Sequence, residues 1–227
     1  MTGVQTCALP IFIAPAKYKT KDDYDAKQYW DDRFKKHGDT LVAVGDEGMD
    51  AEANRRMYEE AGTIFKDVIL SLKLDLPVIR TLEIGTGTGF FTGILHALGI
   101  RHFTGVDITD AFFEKLRATY APFQFLQKDI TREALDGHFD LIVMIDVIEH
   151  IVKEDKLEAA LSGLQRSLRK GGYCLLSPVM AHAKKQQFHF RWWDEATIAQ
   201  LMPELLICRR VGFRGNTLLV LQRPETS

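Results

Sequence analysis

The chain has 227 residues, 46% hydrophobic and 26% charged, with a formal net charge of −2. That balance suits one α/β domain carrying a short extension, and nothing in it demands a nucleic acid or a membrane as partner. No apolar run approaches the roughly 18 residues of a transmembrane helix.

Met1–Ile11 reads as a translated sequencing adapter attached to the chain, so it is set apart from the fold. Residues 12–77 then form an N-terminal helical extension, and residues 78–227 form the main domain. Tyr18–Lys36 spaces Tyr24, Tyr29, Trp30 and Phe34 as one aromatic face of a short helix. Gly38–Asp50 carries three glycines and reads as a loop. Ala51–Leu72 places apolar residues at helical spacing.

From Val78 the pattern alternates between short apolar runs and helices. Strands are expected at Val78–Ile84, His102–Val106, Phe123–Gln127, Phe139–Ile145 and Tyr173–Ser177. Helices are expected at Phe90–Leu98, Ala111–Tyr120, Lys156–Leu168 and Asp194–Met202. Leu205–Val211 and Thr217–Gln222 form a closing strand pair. This alternation predicts a doubly wound, mostly parallel sheet of seven strands, with helices on both faces and an antiparallel C-terminal pair. Such sheets bind ligands beyond the C-terminal ends of their strands.

Three of those ends carry chemistry. The first strand runs through Glu83 into Gly85-Thr86-Gly87-Thr88-Gly89 and then a helix. Glycines there permit a tight turn and close approach of a ligand to the backbone. Phe90 stands where the dinucleotide-binding version of this turn has glycine, which argues against a nicotinamide cofactor. Asp107 ends the second strand, 20 residues after Gly87, where an acid accepts hydrogen bonds from ribose hydroxyls. Asp129 follows the third strand, placed either to accept from an adenine amino group or to cap the turn before Thr131.

Leu82–Gly89, Gly105-Val106-Asp107-Ile108, Lys128-Asp129-Ile130, Phe139–Ile142 through Asp146-Val147-Ile148-Glu149-His150, and Leu168–Gly172 resemble the successive motifs of class I S-adenosylmethionine-dependent methyltransferases with a Rossmann-like fold. The resemblance implies S-adenosylmethionine as cofactor and S-adenosylhomocysteine as product. It places Glu83, Gly85, Thr86 and Gly87 at the methionine part, Asp107 and Ile108 at the ribose, and Asp129 and Ile130 at the adenine. Backbone near Ile145 and Asp146 completes the site. Trp30 resembles an aromatic lead-in that closes over the cofactor. Arg33 either pairs with the methionine carboxylate or stays on the surface. Val42–Gly45 is similar to a bacterial subgroup linked to glycan and natural-product pathways.

Asp146-Val147-Ile148-Glu149-His150 falls where a methyl acceptor should sit. His150 is the candidate base, aided by Glu149. The acids and His150 lie at i, i+3 and i+4, one face of a helical turn. With His182 they form a less favoured divalent-metal set, similar to that of RNA 2′-O-methyltransferases; capping is the third reading. His189, Arg191 and Trp192 are candidate substrate walls, or else an aromatic cluster packing a lid. The acceptor expected is a small molecule, with oxygen preferred over nitrogen. A metal-assisted RNA or nucleotide methyltransferase and a non-catalytic cofactor-binding module are the alternatives. Cys174 and Cys208 lack paired spacing and read as small core residues of a cytoplasmic protein. A monomer or homodimer with no nucleic-acid or membrane partner is expected.

Overall fold

The computed structural model describes residues 16–21, 23–181 and 186–225; Met1–Ile11 and His182 lie outside them. The strands are β1 (Arg80–Ile84), β2 (His102–Asp107), β3 (Gln124–Gln127), β4 (Phe139–Ile145), β5 (Leu168–Val179), β6 (Gln186–Gln187), β7 (Phe190–Arg191), β8 (Leu206–Phe213) and β9 (Asn216–Gln222). Seven form one sheet in the order β3-β2-β1-β4-β5-β9-β8. The first five run parallel, and β9 lies antiparallel between β5 and β8. This is the expected Rossmann-like sheet. The order reverses beside β1, where its C-terminal end and that of β4 open the crevice typical of such folds.

The helices are α1 (Ala26–His37), α2 (Leu41–Val44), α3 (Ala51–Ser71), α4 (Phe90–Ala97), α5 (Phe113–Thr119), α6 (Glu154–Ser167) and α7 (Glu195–Leu201). Residues alternate along the central strands between two cores. On β4, Ile142 and Met144 join one core with α6 and α7, while Leu141, Val143 and Ile145 join the other with α3, α4 and α5. β9 repeats the pattern with Leu219 and Leu221 against Leu218 and Val220. Burial on both faces explains the continuous apolar runs, each large side chain contributing roughly 1.5–3 kcal/mol.

The N-terminal extension departs most from the sequence expectation. α1 begins after Asp25, whose carboxylate accepts from the Gln28 amide at 2.9 Å and caps the helix. Tyr18 and Tyr24 therefore lie on a strap ahead of the helix, where they pack with Tyr29 and Val152. Gly38–Asp50, expected as a loop, holds the single-turn α2. β5 begins at Leu168, five residues before the expected Tyr173, because the glycine-rich stretch still pairs: the Gly171 amide donates to Arg223 and the Arg223 amide donates to Gly172.

The expected helical turn from Asp146 to His150 is also different. Asp146 has φ 56°, left-handed, and only Ile148–His150 coil, as a 3-10 turn. Asp146 thus leaves the face shared by Glu149 and His150, and its carboxylate meets the Arg214 guanidinium and the Tyr58 hydroxyl. Among the described residues, no group of three or more His, Cys, Asp or Glu is arranged to hold a metal ion.

Candidate active site

The turn after β1 depends on its glycines. Gly85, Gly87 and Gly89 all have positive φ, at 77°, 47° and 89°, where a side chain is strained. A Cβ on Gly85 would strike Val147, and one on Gly87 would lie 2.8 Å from Val44 Cγ1. Asp107 fixes this turn: its carboxylate accepts from the Gly87 amide at 2.9 Å and the Thr109 amide at 3.2 Å. Burial pushes its pKa up to about 6, against those backbone donors. Glu83 faces α4 instead, accepting from Thr92 Oγ1 at 2.7 Å, and burial pushes it up to about 8. It supports the turn from below as a neutral acid.

Above the strand ends lies a cavity of about 750 Å³. Trp30, Gly85, Thr86, Gly87, Asp107, Ile108, Asp129, Ile130, Ile145 and Asp146 line it, so ten of the twelve expected cofactor residues meet around it. Glu83 and Arg33 do not line it. Arg33 clamps α2, with Nε donating to the Ala43 carbonyl at 2.7 Å and Nη2 to that of Gly45 at 2.6 Å. Asp129 accepts from the Thr131 amide at 3.0 Å, as a turn cap does, and it also lines the cavity. The glycine cradle, the Asp107 carboxylate and the buried, unpartnered Thr86 Oγ1 fit an adenosyl cofactor.

Sequence reasoning missed several wall residues. Tyr24, Val44, Tyr58, Phe90 and Lys156 also line the cavity. Their contacts span long sequence separations: the Tyr24 hydroxyl donates to the His150 carbonyl at 2.8 Å, and that of Tyr58 to Val44 at 2.9 Å. Lys156 pairs with Asp23 at 2.5 Å. Arg214 reaches Asp146 from the β8–β9 hairpin. Arg214-Gly215 marks a tight turn in the sequence, but nothing local points that side chain to Asp146.

At the acceptor end, His150 lines the cavity beside Trp30, the rings edge-to-face at 4.9 Å. Burial lowers its pKa to about 3, so the ring is neutral. Its Nδ1 lies 2.8 Å from the His189 carbonyl. A carbonyl only accepts, so Nδ1 carries the proton and Nε2 the lone pair. Glu149 is buried and does not line the cavity; its Oε1 stands 3.9 Å from His150 Nε2. Burial, with Asp146 nearby, pushes Glu149 well above the carboxylate range and keeps it protonated.

His189, Arg191 and Trp192 do not line the cavity; they brace it. His189 stacks on Tyr29 at 4.8 Å and holds His150 through its carbonyl. Arg191 lies over the Trp193 ring at 3.8 Å and donates to the Val152 carbonyl at 3.3 Å. The Trp192 ring packs edge-to-face on Phe190.

Residues 82–176 match the family model described as "Methyltransferase domain". Curated relatives include a reducing polyketide synthase, BOA6, of Botryotinia fuckeliana, 32% identical over 135 residues, which are 52% of this chain and 5% of that protein. A highly reducing polyketide synthase, aurA, of Calcarisporium arbuscula is 30% identical over 70% of this chain and 7% of its own length. The chain thus spans under a tenth of the curated relatives it matches. Among solved structures, magnesium protoporphyrin IX methyltransferase of Synechocystis PCC 6803 with bound S-adenosylmethionine superposes with a TM-score of 0.64 at 20% identity, covering 89% of this chain and 98% of that one. The N-methyltransferase NodS of Bradyrhizobium japonicum gives 0.59 at 23%, covering 74% and 97%. With the family match over residues 82–176 and the sheet order, the chain carries a methyltransferase domain with the fold of the class I S-adenosylmethionine-dependent methyltransferases.

Proposed function

We propose that the protein transfers the methyl group of S-adenosylmethionine to a small acceptor, with oxygen preferred over nitrogen. The observation that carries this is the fixed tautomer of His150: a neutral imidazole on the cavity wall with its lone pair on Nε2. A hydroxyl can donate to that lone pair, which orients its oxygen and gives its proton a destination. An ammonium, the usual form of an amine at neutral pH, offers no lone pair until it has lost a proton. When bound, the cofactor supplies a methyl group on a cationic sulfur and leaves as neutral S-adenosylhomocysteine.

His150 takes the acceptor proton at Nε2 as the methyl group is transferred, so the positive charge ends on the imidazolium. Burial resists an imidazolium beforehand, so the base stays neutral while the cation is present. Glu149, protonated and 3.9 Å from Nε2, supplies no charge to that imidazolium. Trp30, Tyr24 and Phe34 wall the cavity and exclude water from the reacting groups.

The polyketide synthase relatives favour a second acceptor within the same mechanism. An acyl chain of polyketide type has enolisable carbons, and the same lone pair can remove a carbon-bound proton. Incubating the protein with isotope-labelled cofactor and a panel of hydroxylated, amine and β-ketoacyl acceptors tests both. Mass spectrometry with NMR of the products locates the methyl group on oxygen or carbon. Transfer only to nitrogen, or no transfer to any acceptor, sinks the reading.

A further inference from the structure

The tip of the β8–β9 hairpin is an unusual place for a buried arginine. Arg214 and Gly215 form its two-residue turn with φ of 51° and 75°. Turns with two positive φ values favour Asn-Gly, and a longer side chain at the first position costs about 1 kcal/mol. The strained backbone sends Arg214 inward, its side chain 16% exposed. The guanidinium lies over the Tyr58 ring, 4.7 Å from its centre, and one arm meets the Asp146 carboxylate. Its Nε is buried and has no hydrogen-bond partner.

Both groups it touches belong to the cavity wall. Asp146 and Tyr58 line it, beside Gly85 and Val147. Asp146 is itself left-handed, which turns its carboxylate toward the arginine. A half-buried carboxylate thus stands on the cavity wall near the glycine turn, paired with a half-buried guanidinium that does not itself line the cavity. Each lowers the cost of keeping the other ionised there. A ligand carrying one positive and one negative charge could replace each partner without leaving a charge unpaired.

We propose that Arg214 and Asp146 are a charge pair that parts to receive the amino-acid end of the cofactor, Arg214 taking the carboxylate and Asp146 the ammonium. The inference rests on the methyltransferase reading and adds to it a residue from the C-terminal hairpin. In the ligand-free protein the pair keeps both charges satisfied. Binding exchanges one ion pair for two. The unpartnered Nε supplies the second donor of the fork that a carboxylate accepts.

The test is calorimetry on the full chain with two probes, S-adenosylhomocysteine and 5′-methylthioadenosine. The second keeps the nucleoside and sulfur and lacks the amino-acid end. Arg214→Met is expected to weaken S-adenosylhomocysteine by about 10- to 100-fold. Affinity for 5′-methylthioadenosine should stay within about twofold of the parent. Because Arg214→Met strands a buried Asp146, the double variant Asp146→Asn with Arg214→Met is measured beside it; the same selective loss is expected. Equal loss for both probes, no loss for either, or restored S-adenosylhomocysteine affinity in the double variant overturns the proposal. If the parent binds neither probe, the methyltransferase reading falls and this inference with it.

Discussion

Buried acids at the strand ends set what single residues do here. Asp107 holds the Gly87 amide, and its pKa is raised to about 6 by burial. Ribose hydroxyls donate to a carboxylate, so cofactor affinity should be constant above neutral pH and fall as pH drops from 7 to 5. Asp107→Ala should weaken S-adenosylhomocysteine by about 100-fold or more in calorimetry, since it removes a charged acceptor. Unchanged affinity would contradict the role assigned to it. Glu83 acts on stability instead. Its carboxyl keeps a proton up to about pH 8 when folded and loses it near 4.5 when exposed. Between those values the folded state holds more protons, so its contribution is fullest below pH 4.5 and is lost as pH rises through 8, at about 1.4 kcal/mol per pH unit at most. Glu83→Gln should flatten the fall in thermal midpoint between pH 5 and 8; an identical slope in both proteins would refute this. At the acceptor end, His150→Ala should lower the turnover rate by about 10²- to 10⁴-fold. Cofactor affinity, measured by calorimetry, should barely move.

Elements near the site differ in what keeps them folded, and α2 is the extreme case. It has four residues and no side-chain cap, far too short to persist alone. Arg33 holds two of its carbonyls, those of Val42 and Ala43, and that of its C-cap Gly45, and Tyr58 holds that of Val44. Val44 in turn covers Gly87. Arg33→Met should therefore speed amide exchange across residues 41–45 and weaken the cofactor several-fold, although Arg33 does not line the cavity. Protection there that matches the parent would show that α2 stands without the clamp. The same element marks where sequence reading stopped. β4 was legible residue for residue because it is buried on both faces and its run is unbroken. The glycine turn, Asp107 and Asp129 were legible because spacing along successive strands puts them at one edge. α2 was not, because its helicity comes from an arginine behind it and a tyrosine ahead of it. Tyr58 and Arg214 were not, because 88 and 68 residues separate them from Asp146, and local pattern carries no trace of such contacts. The turn at Asp146–His150 misled for a related reason: i, i+3, i+4 spacing assumes helical backbone at Asp146, and Asp146 is left-handed.

On the scale of the whole molecule, the cavity is a seam between the N-terminal extension and the sheet. Glycine-turn, Asp107, Asp129 and His150 residues form the sheet's side of it, while Tyr24, Trp30, Val44 and Tyr58 form the other. The extension is fastened by α3 in the core and, around the cavity, by the Tyr24 hydroxyl on the His150 carbonyl, Lys156 on Asp23, Lys115 on Asp39 and Arg214 beneath Tyr58. A ligand in such a seam touches both sides and should tie them together. S-adenosylhomocysteine at 100 times its dissociation constant should stabilise the protein by about 2.7 kcal/mol, which for a chain of this size raises the unfolding midpoint by roughly 5–10 °C. That much would follow from any tight site. Hydrogen exchange separates the seam from a simple sheet-edge pocket. Slower exchange is expected in residues 23–30 and 41–45 as well as in 85–89, because closing the seam lowers the opening of the extension itself. Protection confined to residues 85–89 and 107–108 would mean that the extension is a passive neighbour, and the lid role expected for residues 12–77 would have to be given up.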